Sequence, residues 1–136
     1  FARAQVSYAM YWADPRKHGA AYFAFKMYRN PDGKRTAVGD QFLAAEVSDA
    51  DSVSVYVFKD PKRKVASFLI LNKRAAKGVK LALDLGAAVP AQKAVQYEYS
   101  SANPKAIGEL PPLDVGGKSL KLSVPAMSIL RVDVQL

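Results

Sequence analysis

The chain has 136 residues, half of them hydrophobic and 24% charged, which is enough apolar material for one domain core and too much for a disordered chain. No apolar run approaches the roughly 20 residues of a membrane-spanning helix, and the absence of cysteine excludes disulfide scaffolds, thiolate zinc sites and cysteine nucleophiles. Twenty Lys and Arg against twelve Asp and Glu leave a formal charge of +8. The basic residues come in small groups at turn signals, Arg16-Lys17, Lys34-Arg35, Lys62-Arg63-Lys64 and Lys73-Arg74. That pattern reads as solvated hairpin ends scattered over a surface, not as a stripe along a phosphate backbone, and neither a nucleic acid nor a membrane is expected as partner.

The first thirty residues are dense in aromatics. Val6-Ser7-Tyr8-Ala9-Met10-Tyr11-Trp12 is apolar almost throughout, as a strand buried on both faces would be. The polar run Asp14-Pro15-Arg16-Lys17-His18-Gly19 follows as a loop. From Ala20 to Arg29 the period becomes helical: Ala20, Phe23, Ala24, Met27 and Tyr28 share a face, with Lys26 and Arg29 left to solvent. Asn30-Pro31-Asp32-Gly33 stops that helix, since a proline disfavours helical geometry in the residue before it. Strand, loop and helix make one βα unit, which needs a second layer to cover its apolar face.

Beyond Phe42 the period is two. Val53, Val55 and Val57 share a face, with Ser54, Tyr56 and Phe58 on the other; Val65 to Leu71 is apolar on both faces and reads as a central strand. Val79 to Leu85, Val95 to Tyr99, Leu120 to Val124 and Leu130 to Val134 alternate as well, and Phe42 to Val47 makes the set about seven strands. The fold expected is therefore mainly β, an antiparallel β-sandwich over residues 34–136, preceded by a strand-helix segment over residues 1–33.

Chemistry is sparse. The one histidine, His18, excludes any site built on two imidazoles and reads as a solvated loop residue. The glutamates are Glu46, Glu98 and Glu109. Glycoside hydrolysis needs two carboxyl groups about 5 to 9.5 Å apart across the scissile bond. Glu46 and Glu98 fall at outward strand positions and Glu109 in a loop, so nothing in the spacing brings two together. Asp49-Ala50-Asp51 is too short a ligand set for calcium, and the glycine spacings fit no phosphate-binding loop. No catalytic residue, metal site or cofactor is expected. Tyr11 and Trp12 are the candidate carbohydrate-binding residues, because an aromatic ring at a strand end can stack on the apolar face of a sugar; core packing is the other reading of the same pair. Tyr56, Phe58, Tyr97 and Tyr99 are open to the same two readings.

The segment Ala24-Phe25-Lys26-Met27-Tyr28-Arg29-Asn30-Pro31-Asp32-Gly33, followed by Val38-Gly39-Asp40, by Asp51-Ser52-Val53-Ser54-Val55-Tyr56-Val57, by Leu69-Ile70-Leu71-Asn72-Lys73 and by Val124-Pro125-Ala126-Met127, resembles the C-terminal part of glycoside hydrolase family 44. The resemblance runs in matching order over nearly the whole chain. It implies endo-acting β-glucanases and xyloglucanases, extracellular or periplasmic, with a (β/α)8 barrel and a C-terminal β-sandwich. Residues 1–33 would be the end of that barrel. The family's catalytic glutamates lie on earlier strands, and no position here matches either motif. Trp12 falls where such barrels place a sugar-stacking aromatic, at the C-terminal end of a strand. Proline at position 31 and the Lys/Arg-rich turns depart from the family pattern. Two functions follow as expectations. One is a non-catalytic sandwich packing on the parent enzyme's catalytic barrel through the apolar face of the Ala20–Arg29 helix. The other is a free-standing carbohydrate-binding module for β-glucan, with an interaction domain that meets acidic glycans or cell-wall polymers through its basic turns as a further alternative. Phe1 opens the chain without a basic and apolar leader, so either a leader has been removed or the chain is a piece of something longer. A piece would leave Tyr8, Tyr11, Phe23 and Met27 uncovered, whereas a complete module would cover them.

Overall fold

The computed structural model describes residues 16–136. The strand expected at Val6–Trp12, and with it Tyr8 and the candidate pair Tyr11 and Trp12, lies outside the described residues. Helix α1 runs Ala20–Arg29, as its periodicity predicts. It begins after Gly19, whose carbonyl accepts from the Phe23 amide at 3.1 Å. It ends at Asn30, whose amide donates to the Lys26 carbonyl at 2.8 Å. Pro31 then blocks continuation, and Lys26 and Arg29 sit in the last turn, where cations complement the helix dipole.

The remaining elements are β1 (Gln41–Leu43), β2 (Val53–Asp60), β3 (Val65–Asn72), β4 (Val79–Tyr99), β5 (Gly108–Val124) and β6 (Ser128–Gln135). All pair antiparallel in one sheet of order β1-β2-β3-β6-β4-β5. The mainly-β class is as expected, and β3 is an inner strand between β2 and β6. The strand count differs from the expectation. Val79–Leu85 and Val95–Tyr99, read as two strands, are the two ends of β4, which is 21 residues long. The join is irregular: Asp84 faces Ser119, yet Val89 faces Gly117, so extra residues on β4 bulge out around Gly86, whose φ is +71°. A bulge bends the strand and increases its twist.

That bend makes the sandwich. Residues Val95–Tyr99 of β4 pair with β6, whereas Val79–Ala94 pair with β5 alone. The long β4–β5 arm folds over the β2-β3-β6 face, and the two layers close on one core. Val53, Val55 and Val57 meet Phe68 and Ile70, Leu130, Val132 and Val134, and from the arm Leu120, Leu122 and Val124. Burying each such aliphatic side chain favours folding by about 1.5–3 kcal/mol. The facing layers thus belong to a single hydrogen-bonded sheet that has bent back on itself.

The other face of β2, β3 and β6 is covered by α1. Phe23 is 3% exposed and Met27 0%, and Met27 packs with Leu69 and Tyr97, flanked by Tyr28, Tyr56, Phe58 and Ile129. The Phe23 ring stacks on Tyr99 with centroids 4.8 Å apart. The apolar helix face expected to lie against a barrel is therefore spent on the sheet of this same chain. Tyr56, Phe58, Tyr97 and Tyr99 lie under the helix and its exit loop and form no open platform for a sugar.

Candidate functional site

The most elaborate polar arrangement lies where α1 meets the sheet. Strand β6 alternates, so Leu130, Val132 and Val134 fill the core while Arg131 and Asp133 point to the helix side. Arg131 is 0% exposed. A buried guanidinium must have its donors satisfied and its charge paired, and here both conditions hold. Nε and Nη2 donate to the Asp133 carboxylate at 2.9 and 2.8 Å, a two-pronged pair across i and i+2 of one strand. Nη1 donates to the Met27 carbonyl at 2.9 Å and to the Thr36 carbonyl at 2.8 Å. One side chain thus ties the last turn of α1 and the loop after it to the sheet. The Tyr97 ring lies 6.0 Å beneath the guanidinium. Burial is the main cause that pushes the Tyr97 phenol up to about 12, with the carboxylates of Asp32, Glu109 and Asp133 adding to it and Arg131 opposing it.

A second buried polar residue organises the far end of the same layer. Asn72, 2% exposed, donates through Nδ2 to the carbonyls of Lys77, Val124 and Pro125, and its Oδ1 accepts from the Arg74 amide. It thereby joins the end of β3 to the loop entering β4 and to the turn between β5 and β6. Neither Arg131 nor Asn72 was singled out from the sequence as a polar anchor. The signal available was Arg131-Val132-Asp133: opposite charges two apart on a strand share a face and can pair there.

The residues that were singled out do not converge. His18 is exposed, with φ +65°, and its ring lies 5.7 Å from that of Tyr22 and 6.1 Å from that of Phe23, covering the start of α1. Glu46 is exposed and lies past the end of β1, not on a strand. Glu109 is on β5, not in a loop, and faces Tyr97 across the ladder, while Glu98 faces Gly108. Successive residues alternate faces, so Glu98 and Glu109 point to opposite sides of the sheet. Glu98 and Glu109 therefore cannot flank a glycosidic bond together. Asp49 spends one carboxylate oxygen on the Ser52 amide and the other on Arg74; these hydrogen bonds, Ser52 first, hold its carboxyl below the usual range. Among the described residues no group of three or more His, Asp or Glu side chains is placed to hold a metal ion.

A cleft of about 590 Å³ opens between the layers beside the bulged arm, lined by Leu43, Val57, Phe68, Leu83 and Val134 with Glu46, Lys59 and Asp84. Its lining is mainly aliphatic. Phe68 is itself only 8% exposed, so no flat ring is offered to a sugar.

A β-sandwich made from one bent sheet, with a helix locked to its outer face, is the fold of a domain found within glycoside hydrolases. The likeness is to family 44. The xyloglucanase of that family from Paenibacillus polymyxa superposes with a TM-score of 0.77 at 23% identity, over 85% of this chain and 22% of that one. CelM2, a bifunctional glucanase-xylanase from a metagenome library, gives 0.75 at 28% identity over 84% and 22%. Cel44A, the family 44 endoglucanase from Clostridium thermocellum, gives 0.76 at 17% identity over 84% and 23%. The chain thus spans about a fifth of the length of these enzymes. No family model and no curated protein matches the sequence. No described helix is long and apolar enough to cross a membrane.

Proposed function

We propose that the chain is the non-catalytic β-sandwich accessory part of a family 44-like β-glucan-degrading glycoside hydrolase, secreted or periplasmic, which holds and stabilises the catalytic barrel. Residues 1–33 are the last strand and helix of that barrel in this reading, and residues 34–136 the sandwich. The observation that carries it is the Arg131 junction. A helix whose sequence resembles a barrel helix is fixed to the sandwich by Phe23, Met27 and a fully buried guanidinium. A helix shared in this way transmits the rigidity of one body to the other, so the barrel is supported through the helix itself and not through a separate face of it. The opposed faces of Glu98 and Glu109 agree with a non-catalytic role. The purified chain is expected to release no reducing ends from xyloglucan or carboxymethyl-cellulose; turnover proportional to its concentration would overturn the proposal.

A second reading is favoured by one specific observation. Phe23 and Met27 are covered by residues of this chain, as a self-contained carbohydrate-binding module would require. In that reading Tyr11 and Trp12 stack on β-glucan. It is supported if the protein is retained on cellulose or xyloglucan and released by Trp12→Ala, and it fails if that variant binds unimpaired.

A further inference from the structure

Two of the basic groups that are distant in the sequence lie side by side. The turn between β2 and β3 carries Lys62, Arg63 and Lys64, and the loop after α1 carries Lys34 and Arg35. Arg63 Nη2 donates to the Ala37 carbonyl at 2.5 Å, which sets the turn against the loop. Gly39 passes so close to Lys59 that a β-carbon there would overlap the Lys59 carbonyl. Both segments are held by their own polar groups. Asp60 accepts from the Arg63 amide at 2.9 Å and pairs with Arg63 Nε, while Gln135 and Leu136 donate to the Arg63 and Lys64 carbonyls. Asp32 accepts from the Lys34 amide and the Thr36 hydroxyl, and Asn30 accepts from the Arg35 amide.

The consequence is electrostatic. The carboxylates of Asp32 and Asp60 are committed to building the turns. Lys34, Arg35, Lys62 and Lys64 are exposed, and none has a carboxylate within 4.0 Å among the described residues. Arg35 and Lys64 hold φ of +62° and +54°, a left-handed region in which glycine would be least strained. Two long cationic side chains stand where a side chain is costly, and strain of this kind gathers at ligand-binding positions.

We propose that this end of the sandwich, Lys34, Arg35, Lys62 and Lys64 together, binds an acidic polysaccharide carrying uronate carboxylates. A lysine ammonium meets a carboxylate as a point charge, and an arginine fork meets it with two parallel hydrogen bonds. Fixed turns reduce the ordering cost of binding. The choice of a polysaccharide over a nucleic acid rests on the glycoside-hydrolase reading of the fold. The surface would then retain the parent enzyme on uronate-bearing cell-wall polymer while the barrel acts on neutral glucan.

The test is fluorescence anisotropy with a labelled oligogalacturonide, using the full chain. The substitutions K34S, R35S, K62S and K64S combined are expected to weaken binding about tenfold, and raising salt from about 50 to 300 mM to weaken it by at least as much, as charge-driven binding requires. A second variant with the same change in charge on the β4–β5 arm and the loop entering it, K77S, K80S, K118S and K121S combined, is expected to stay within about twofold of the parent. Equal weakening by the two sets would reduce the effect to net charge and overturn the proposal, as would undetectable binding. Tighter binding to duplex DNA, lost with the first set, would make the partner a nucleic acid and overturn it too. Melting curves of both variants verify folding, and none of these outcomes alters whether the chain hydrolyses xyloglucan, so the two proposals fail separately.

Discussion

Replacing Arg131 by methionine keeps the apolar length of the side chain and removes its five donors. Four hydrogen bonds are lost: two to Asp133, one to the Met27 carbonyl and one to the Thr36 carbonyl. The carbonyls are left with one partner fewer in a buried place, and the Asp133 side chain, 12% exposed, becomes an unpaired carboxylate in low dielectric. Breaking a buried ion pair from one side costs about 3–5 kcal/mol, a large share of the 5–15 kcal/mol (order of magnitude) that holds a domain together. In a chain of this length that corresponds to a fall of about 10–15 °C in Tm. Arg131→Lys should recover only part of it, since an ammonium carries three donors on one nitrogen and cannot reproduce the four bonds of the planar guanidinium fork. Arg131→Met combined with Asp133→Val should be less destabilised than Arg131→Met alone, because no charge is stranded. Thermal melts followed by circular dichroism, with urea titrations for the free energies, measure all three. A Tm for Arg131→Met within about 3 °C of the parent would refute the assignment of Arg131 as the tie between helix and sheet.

Three further outcomes are expected. Ser67 is 1% exposed and its hydroxyl has no partner among the described residues, so Ser67→Ala should stabilise the fold by about 1 kcal/mol, read as a higher urea midpoint at unchanged slope; a lower midpoint would mean that the hydroxyl is bonded. Tyr97 has a folded-state pKa raised to about 12, so its contribution to stability is complete below its unfolded value near 10 and is lost as pH rises through the folded one. Alkaline unfolding should therefore steepen between about pH 10 and 12 and flatten in Tyr97→Phe, with tyrosinate absorbance as the readout; an unchanged profile in the variant would contradict this. Gly39→Ala must push the exit loop off the Lys59 carbonyl and should cost about 1–3 kcal/mol, checked by urea denaturation, where a neutral effect would show that the loop yields freely.

Much of the architecture was legible because its causes are local. The repeat of Phe23 and Met27 four apart fixes the buried face of α1, and Pro31 fixes its end. Val53, Val55 and Val57 alternate because β2 has one core face, and β3 is continuously apolar because it is covered on both sides. The β5 residues 108–117 were not legible: Pro111-Pro112 and Gly116-Gly117 read as loop punctuation. They are tolerated because β5 is an edge strand, where one row of amides needs no partner. The union of Val79–Leu85 with Val95–Tyr99 was hidden by Gly86 and Pro90, which mark a bulge and not a break. The burial of Arg131 was not legible, because the alternation of Leu130 to Val134 reports which residues avoid the core, not what covers the opposite face. The same gap hid the proximity of Lys34-Arg35 to Lys62-Arg63-Lys64, which depends on a contact between residues 26 apart in sequence. The candidate pair Tyr11 and Trp12 lies outside the described residues.

Amide hydrogen exchange in α1 tests most directly whether the helix and the sandwich are one body. If Arg131, Phe23 and Met27 fix the helix to the sheet, the α1 amides from Phe23 to Asn30 should exchange only through the same global opening that exposes β3 and β6, and should follow it when urea is added. Exchange of those amides orders of magnitude faster than β3, with the sheet still protected, would show a helix that detaches on its own and would contradict the role proposed for it as a rigid link to a catalytic barrel.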